Sequence, residues 1–234
     1  MSENIKKTTK AFRVDLDSSK NQIMLKPSAR SFNNQAHQVS EVAKKIHELI
    51  KNAPYSNDDI VLNRNEIKEA FFNPFKPQLK NAQVFLSHSY ADKNKALGVK
   101  DYLESKTKRK VFIDSLFWDY KDDVLTKLAK HDDISKIKNA FTLILRESLQ
   151  DMIEKCPYFV FLQSKNSVSN QGLSRITYSA WIYEELKIAH SISAINESRP
   201  IPMMESMQVF HDVSPFLESF ETIRLSELSR IINS

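Results

Sequence analysis

Glycine is almost missing from this chain: Gly98 and Gly172 are the only two in 234 residues. A phosphate-cradling Walker loop or a G-x-G-x-x-G dinucleotide turn needs several glycines close together, so neither can be present. Any nucleotide must be held by another route. Cysteine is scarcer still. Cys156 stands alone, which excludes an internal disulfide framework and a cysteine-rich metal site and suits a reducing, cytoplasmic compartment. No apolar run approaches the length of a membrane span. The polar, lysine-rich first ten residues are followed by no apolar stretch of the secretory kind. These absences predict a cytoplasmic protein without membrane contact.

Phenylalanine is abundant, with 14 copies to furnish a sizeable core. The formal charge is +5, yet the basic residues are spread along the chain and mixed with acids. The densest cluster, Lys106 to Lys110, reads as a solvated helix-to-strand turn, which argues against nucleic acid as a partner. An anionic small ligand suits the same balance. His88 has no second histidine at ligand spacing, so no metal is expected.

The first eighty residues differ from the rest. Phe12-Arg13-Val14 and Ile23-Met24-Leu25 read as a short hairpin around a polar turn. A helix is predicted over 34–52, with Val39, Val42, Ile46, Leu49 and Ile50 on one stripe and Pro54 beyond it. Another is predicted over 57–72, closed by Pro74 and Pro77, which mark a boundary near Lys80. The expected organisation is an N-terminal, mainly helical extension (1–80) and a main domain (81–234).

Beyond Lys80 short apolar runs alternate with helical stretches. Val84-Phe85-Leu86, Val111-Phe112-Ile113 and Tyr158 to Leu162 are the clearest runs, with weaker ones at Ile201 to Met204 and Thr222 to Leu225. This pattern predicts an α/β fold with a parallel sheet covered on both faces. Ligands of such sheets bind at the carboxyl ends of the strands. Ser87, His88, Ser89, Asp92 and Lys93 leave the first run, Asp114 to Tyr120 the second, and Gln163 to Ser167 the third. Hydroxyls, acids and aromatics on one rim suit a ribose and an aromatic base.

One acid stands out. In the helical stretch around Trp181, an advance of roughly 100° per residue puts Tyr178, Trp181, Ile182, Leu186, Ile188, Ala189 and Ile192 in one arc. Glu185 lies about 20° from the centre of that arc, and Glu184 about 120° away among polar positions. A carboxylate facing the interior is costly unless it is paired or lines a cavity. Glu185 is therefore the acid of an active site or a buried partner of Lys93 or Arg175. Asp92 reads either as a ligand contact or as a helix N-cap, and Trp181 as a stacking platform or as core.

These residues resemble a known family. Val84-Phe85-Leu86-Ser87-His88-Ser89-Tyr90-Ala91-Asp92-Lys93 is similar to the opening strand and loop of bacterial TIR (Toll/interleukin-1 receptor) domains. Ser179-Ala180-Trp181-Ile182-Tyr183-Glu184-Glu185-Leu186 resembles their S-x-W-x-x-x-E-L helix. The likeness runs from Ala82 to the C-terminus and implies a flavodoxin-like, five-stranded parallel sheet. It also implies one of two activities. Some TIR domains are scaffolds that pair with other TIR domains. Others, many of them bacterial and serving anti-phage defence, cleave the nicotinamide–ribose bond of NAD to give ADP-ribose or a cyclic isomer.

The resemblance makes Glu185 the catalytic residue and NAD the substrate, with no separate cofactor. It implies contacts from Ser87, His88, Ser89, Asp92, Lys93 and Trp181, self-association, and a sensor or effector partner. Phe117 and Trp118 are the candidate aromatics capping the substrate. The chain departs from the family pattern in lacking a glycine after the second strand, in an inserted Lys130-His131-Asp132-Asp133, and in a long 166–178 segment. A nucleoside 2-deoxyribosyltransferase-like enzyme shares the sheet and a glutamate but fits the motifs less well.

Overall fold

Burial on both faces is what makes Ala82–His88 a central strand: its last five residues are all buried. The computed structural model describes residues 9–25, 36–56, 59–60, 62–72, 81–131, 135–193 and 210–234. In chain order the elements begin with β1 (Lys10–Asp15), α1 (Ser19–Gln22), α2 (Ala36–Lys51), β2 (Tyr55–Ser56), β3 (Asp59–Ile60) and α3 (Arg64–Phe72). Next come β4 (Ala82–His88), α4 (Lys93–Thr107), β5 (Lys110–Ile113), α5 (Ser115–Leu128), α6 (Ser135–Lys155) and β6 (Tyr158–Gln163). The last are β7 (Ser169–Gln171), β8 (Ser174–Thr177), α7 (Ala180–Ser193), β9 (His211–Asp212), α8 (Ser214–Ser219), β10 (Glu221–Thr222) and α9 (Leu225–Asn233).

The chain folds into two compact units. The first comprises Met1–Ser28, Asn81–Asp114 and Gln150–Ser234. It is built on a five-stranded sheet in the order β10-β1-β6-β4-β5, and every pairing is parallel. Phe85 stacks on Phe159 with ring centroids 5.8 Å apart, and Phe112 lies 5.8 Å from the Phe85 ring. All three are buried. The 166–178 segment supplies β7 and β8 of a small antiparallel sheet that β9 completes, and Gly172 makes the tight turn between them at φ +60°.

The expected hairpin does not form. Phe12 and Val14 belong to β1, which pairs with β6 from Lys10↔Tyr158 to Asp15↔Gln163 and with β10 on its other edge. Both edges of the strand are thus taken, leaving no ladder for an antiparallel partner. Ile23 and Met24 sit in a turn instead, with Ile23 85% exposed. That turn is pinned by Asn21, whose amide donates to the Asp15 carbonyl at 2.7 Å while its oxygen accepts from the Leu225 N–H. The chain does pass from one unit to the other at Lys80, but β1, expected in the extension, belongs to the main sheet.

The second unit comprises Ala29–Lys80 and Ser115–Leu149. Residues 34–80 therefore do not stand alone as an extension. Their helices share a core with α5 and α6. The predicted stripe on α2 holds: Val39, Val42, Ile46 and Ile50 are buried. Phe71 is ringed by Phe72, Tyr120 and Phe141 at centroid distances of 5.4, 5.2 and 5.5 Å. The Tyr120 hydroxyl donates to the Phe71 carbonyl, and burial pushes its proton affinity up. The helix predicted over 57–72 is confined to α3, because Tyr55–Ser56 and Asp59–Ile60 pair with each other.

Two further expectations change. The stretch after the second strand, where the family pattern carries a glycine, is a helix, since α5 begins at Ser115 directly after Asp114. The run Thr222 to Leu225 supplies only the end of β10 before α9 starts, where the Glu227 carboxylate accepts from the Arg224 N–H at 3.3 Å. The edge-strand candidate Ile201 to Met204 lies outside the described residues. Among the described residues no helix is long and apolar enough to cross a membrane.

Candidate active site at the carboxyl ends of the strands

β4 is flanked by β5 on one side and β6 on the other, so the chain reverses its direction of winding there. Crevices of parallel sheets open at such points, beyond the carboxyl ends of the strands. The last two residues of β4 are Ser87 and His88, and Asp114 follows β5 immediately. Glu185 arrives from α7. That helix starts where it does because Ser179 is its N-cap, its hydroxyl accepting from the Ile182 N–H at 3.2 Å. Tyr178, expected in the apolar arc, precedes the helix and is exposed.

Four polar side chains meet in the interior. Ser87 Oγ donates to Glu185 Oε2 at 2.5 Å. The Asp114 carboxyl is the other polar neighbour of Glu185, within hydrogen-bonding reach. His88 Nδ1 lies 2.7 Å from Asp114 Oδ1, without the alignment of a hydrogen bond. Glu185 is 0% exposed, and Ser87, His88 and Asp114 are buried with it. Neither Lys93 nor Arg175 is among the groups acting on Glu185. The ion pair weighed for it from sequence is replaced by an acid pair.

That replacement has an electrostatic consequence. Burial, followed by the charge of Asp114, pushes the Glu185 carboxyl well above its ordinary 4.5, against the opposing effect of the Ser87 bond. Two carboxylates in contact in a dry site cannot both ionise cheaply. The complete burial of Glu185 places the proton on that acid.

Asp92 has a different task. It does not cap α4 through its side chain. Its buried carboxylate instead accepts from Ser164 Oγ and from Asn166 Nδ2 at 3.0 Å, with Lys95 Nζ 3.5 Å away. Lys95 also reaches Asp17 at 3.3 Å, and Asp17 accepts from the Lys165 N–H at 2.9 Å. That backbone bond is the main cause of a lowered Asp17 proton affinity. The turns after β1, β4 and β6 are thereby tied into one rim. Asp92→Ala should leave Ser164 and Asn166 without their acceptor and destabilise the chain by about 1–3 kcal/mol, read as a lower urea midpoint.

The remaining candidates are dispersed. Ser89 is half-buried, and its carbonyl accepts from the Asp92 N–H at 2.8 Å. Lys93 is also half-buried, with its ammonium 5.5 Å from the centre of the exposed Tyr90 ring. Trp181 is half-buried in the first turn of α7, one turn before Glu185. Phe117 and Trp118 fall in the first turn of α5 rather than in a loop, and their side chains lie outside those described.

Sequence reasoning missed two features. Asp114 was legible as an acid closing a strand, but its contact with Glu185 was not. Glu184, placed among polar positions, is 4% exposed. α7 is covered on more than one side: it packs on β1 and β4 and also against β8 and α8. On that second side Tyr183 stacks on His211 at 4.7 Å and meets Phe216 at 5.5 Å. No protein-family model, curated protein or solved structure matches the chain.

Proposed function

We propose that the first unit is a TIR-like, flavodoxin-like domain that cleaves the nicotinamide–ribose bond of NAD with Glu185. The observation that carries this reading is the buried Glu185–Asp114 acid pair at the carboxyl ends of β4 and β5. Acids whose proton affinity is shifted by burial and a like charge are concentrated at functional sites. The sheet order lends support. Read from the opposite edge it is β5-β4-β6-β1-β10, which follows the flavodoxin-like pattern 2-1-3-4-5 with an N-terminal strand in the fourth place.

Nicotinamide in NAD is a cationic leaving group, so no general acid is needed. The C1′–N bond breaks with its electron pair going to the ring nitrogen, which neutralises the pyridinium. The ribose then carries oxocarbenium character, which an ionised Glu185 stabilises. Ser87, by donating to Oε2, fixes the carboxylate. Water adds to C1′ and gives up a proton, yielding ADP-ribose; attack by adenine instead yields a cyclic isomer. Trp181, one turn earlier on the helix, stacks on the nicotinamide, and a cation over indole gains about 1–2 kcal/mol. Anti-phage signalling by a self-associating cytoplasmic protein is the setting that this chemistry fits.

The complete burial of Glu185 favours one rival, a non-enzymatic TIR scaffold in which the acid pair only fastens α7 to the sheet. Incubating the purified chain with NAD and following free nicotinamide separates the two. The enzyme releases nicotinamide, and Glu184→Gln retains that activity. A wild-type protein that stays at the no-enzyme background, even when concentrated enough to self-associate, is a scaffold. Transfer between deoxynucleosides with NAD untouched would assign the deoxyribosyltransferase reading instead.

A further inference from the structure

The second unit has a cavity of its own, of about 360 Å3, between α2 and the end of α5. Lys44, Lys127, Lys130, His47, His131 and Ser40 supply its polar lining. Ala43 and Leu128, both buried, supply the apolar part. Helical spacing accounts for the α2 side, since positions 40, 43, 44 and 47 recur at intervals of three and four and so share one face. On the other side Lys127 ends α5, and the turn after it carries Lys130 and His131. The inserted Lys130-His131-Asp132-Asp133, which the proposed chemistry leaves unused, thus contributes two of the cavity's basic groups.

Three features of this cavity point to an anion. Three lysines line it, and no carboxylate does so among the described residues. Lys127 Nζ is held by a hydrogen bond to Ser40 Oγ, which fixes one cation at the wall instead of letting it extend into water. The imidazoles of His47 and His131 lie 5.6 Å apart with a 50° tilt, so two more nitrogen-bearing rings meet at the same place. Gathering like charges around a concavity is unfavourable by itself, and a multiply charged anion reverses the sign of that interaction.

We propose that this cavity binds the phosphate groups of a small phosphorylated ligand. Its volume falls at the lower end of the range for small-molecule pockets, and lysine ammoniums serve as point charges for phosphate. A nucleic-acid backbone would require a basic track extending beyond the cavity, whereas the other basic residues of the chain are interspersed with acids.

Inorganic pyrophosphate is the probe, titrated into the full chain at constant ionic strength and followed by calorimetry and by the histidine ring resonances. Saturable binding that moves the His47 and His131 signals is expected. Lys44→Ala and Lys130→Ala, at exposed positions, should each weaken it by about tenfold without changing the melting temperature. Unsaturable binding, the same response to chloride, or an affinity unaffected by both substitutions would overturn the proposal. Tighter, lysine-dependent binding of a single-stranded oligonucleotide would also overturn it, in favour of nucleic acid.

Discussion

Glu185→Gln is expected to lower NAD cleavage by on the order of 10²–10³-fold and, in the same protein, to raise the melting temperature at neutral pH. Both effects follow from one proton. Folding raises the proton affinity of Glu185 above its ordinary 4.5, first through burial and then through Asp114. Above pH 4.5 the folded chain therefore binds more protons at this position than the unfolded chain does. Stability falls with rising pH wherever the folded state holds the extra proton. The loss begins at the unfolded value and is complete once pH passes the raised folded value.

Glutamine copies the protonated acid. Its carbonyl oxygen can accept from Ser87, and it has no charge to bury or to set against Asp114. Wild type and Glu185→Gln should thus melt alike below about pH 4.5 and diverge above it, the variant being the more stable. Glu185→Ala should lose activity without that gain, because it leaves a void and an unpaired Ser87 hydroxyl. Catalysis needs the ionised form, so wild-type turnover should rise with pH along a limb displaced upward from the usual carboxylate range. Melting curves across the pH range and initial rates of nicotinamide release read the two effects separately. Identical melting at every pH would remove the held proton, while full activity in the variant would remove Glu185 from the chemistry.

What the sequence discloses depends on whether the physical signal is local. Val84 to Leu86, Val111 to Ile113 and Tyr158 to Leu162 could be read as strands because burial on both faces leaves an unbroken apolar run. They lie inside β4, β5 and β6. The α2 stripe and the inward direction of Glu185 follow from helical periodicity in the same way. Glu184 defeats that reasoning, since a helix covered on a second side also buries residues from its polar face. Pairing across distance leaves even less trace. Nothing in Phe12-Arg13-Val14 says that its partners are Val160 and Glu221, separated from it by most of the chain. The Asp114–Glu185 contact is hidden for the same reason: each residue obeys a local rule, and their meeting is set by the sheet order.

Removal of β1 gives the second large effect. A chain starting at Asp17 should fail to fold its first unit, although the sequence alone presents residues 1–80 as a separable extension. β1 lies between β6 and β10, so its loss strips hydrogen-bond partners from both neighbours at once. Its Phe12 and Val14 side chains, and Leu16 just beyond it, are at most 3% exposed. Burying such side chains contributes about 1.5–3 kcal/mol each. Three of them approach the whole stability of a typical domain, about 5–15 kcal/mol. The full-length variant Val14→Asp tests the same point without truncation, since it forces a carboxylate into a fully buried position. Circular dichroism should show the cooperative transition of the first unit lost in both proteins. A truncated chain that unfolds with the wild-type midpoint would mean that the sheet is complete without its N-terminal strand, and the fourth place in the flavodoxin-like order would then have to be filled from elsewhere in the chain.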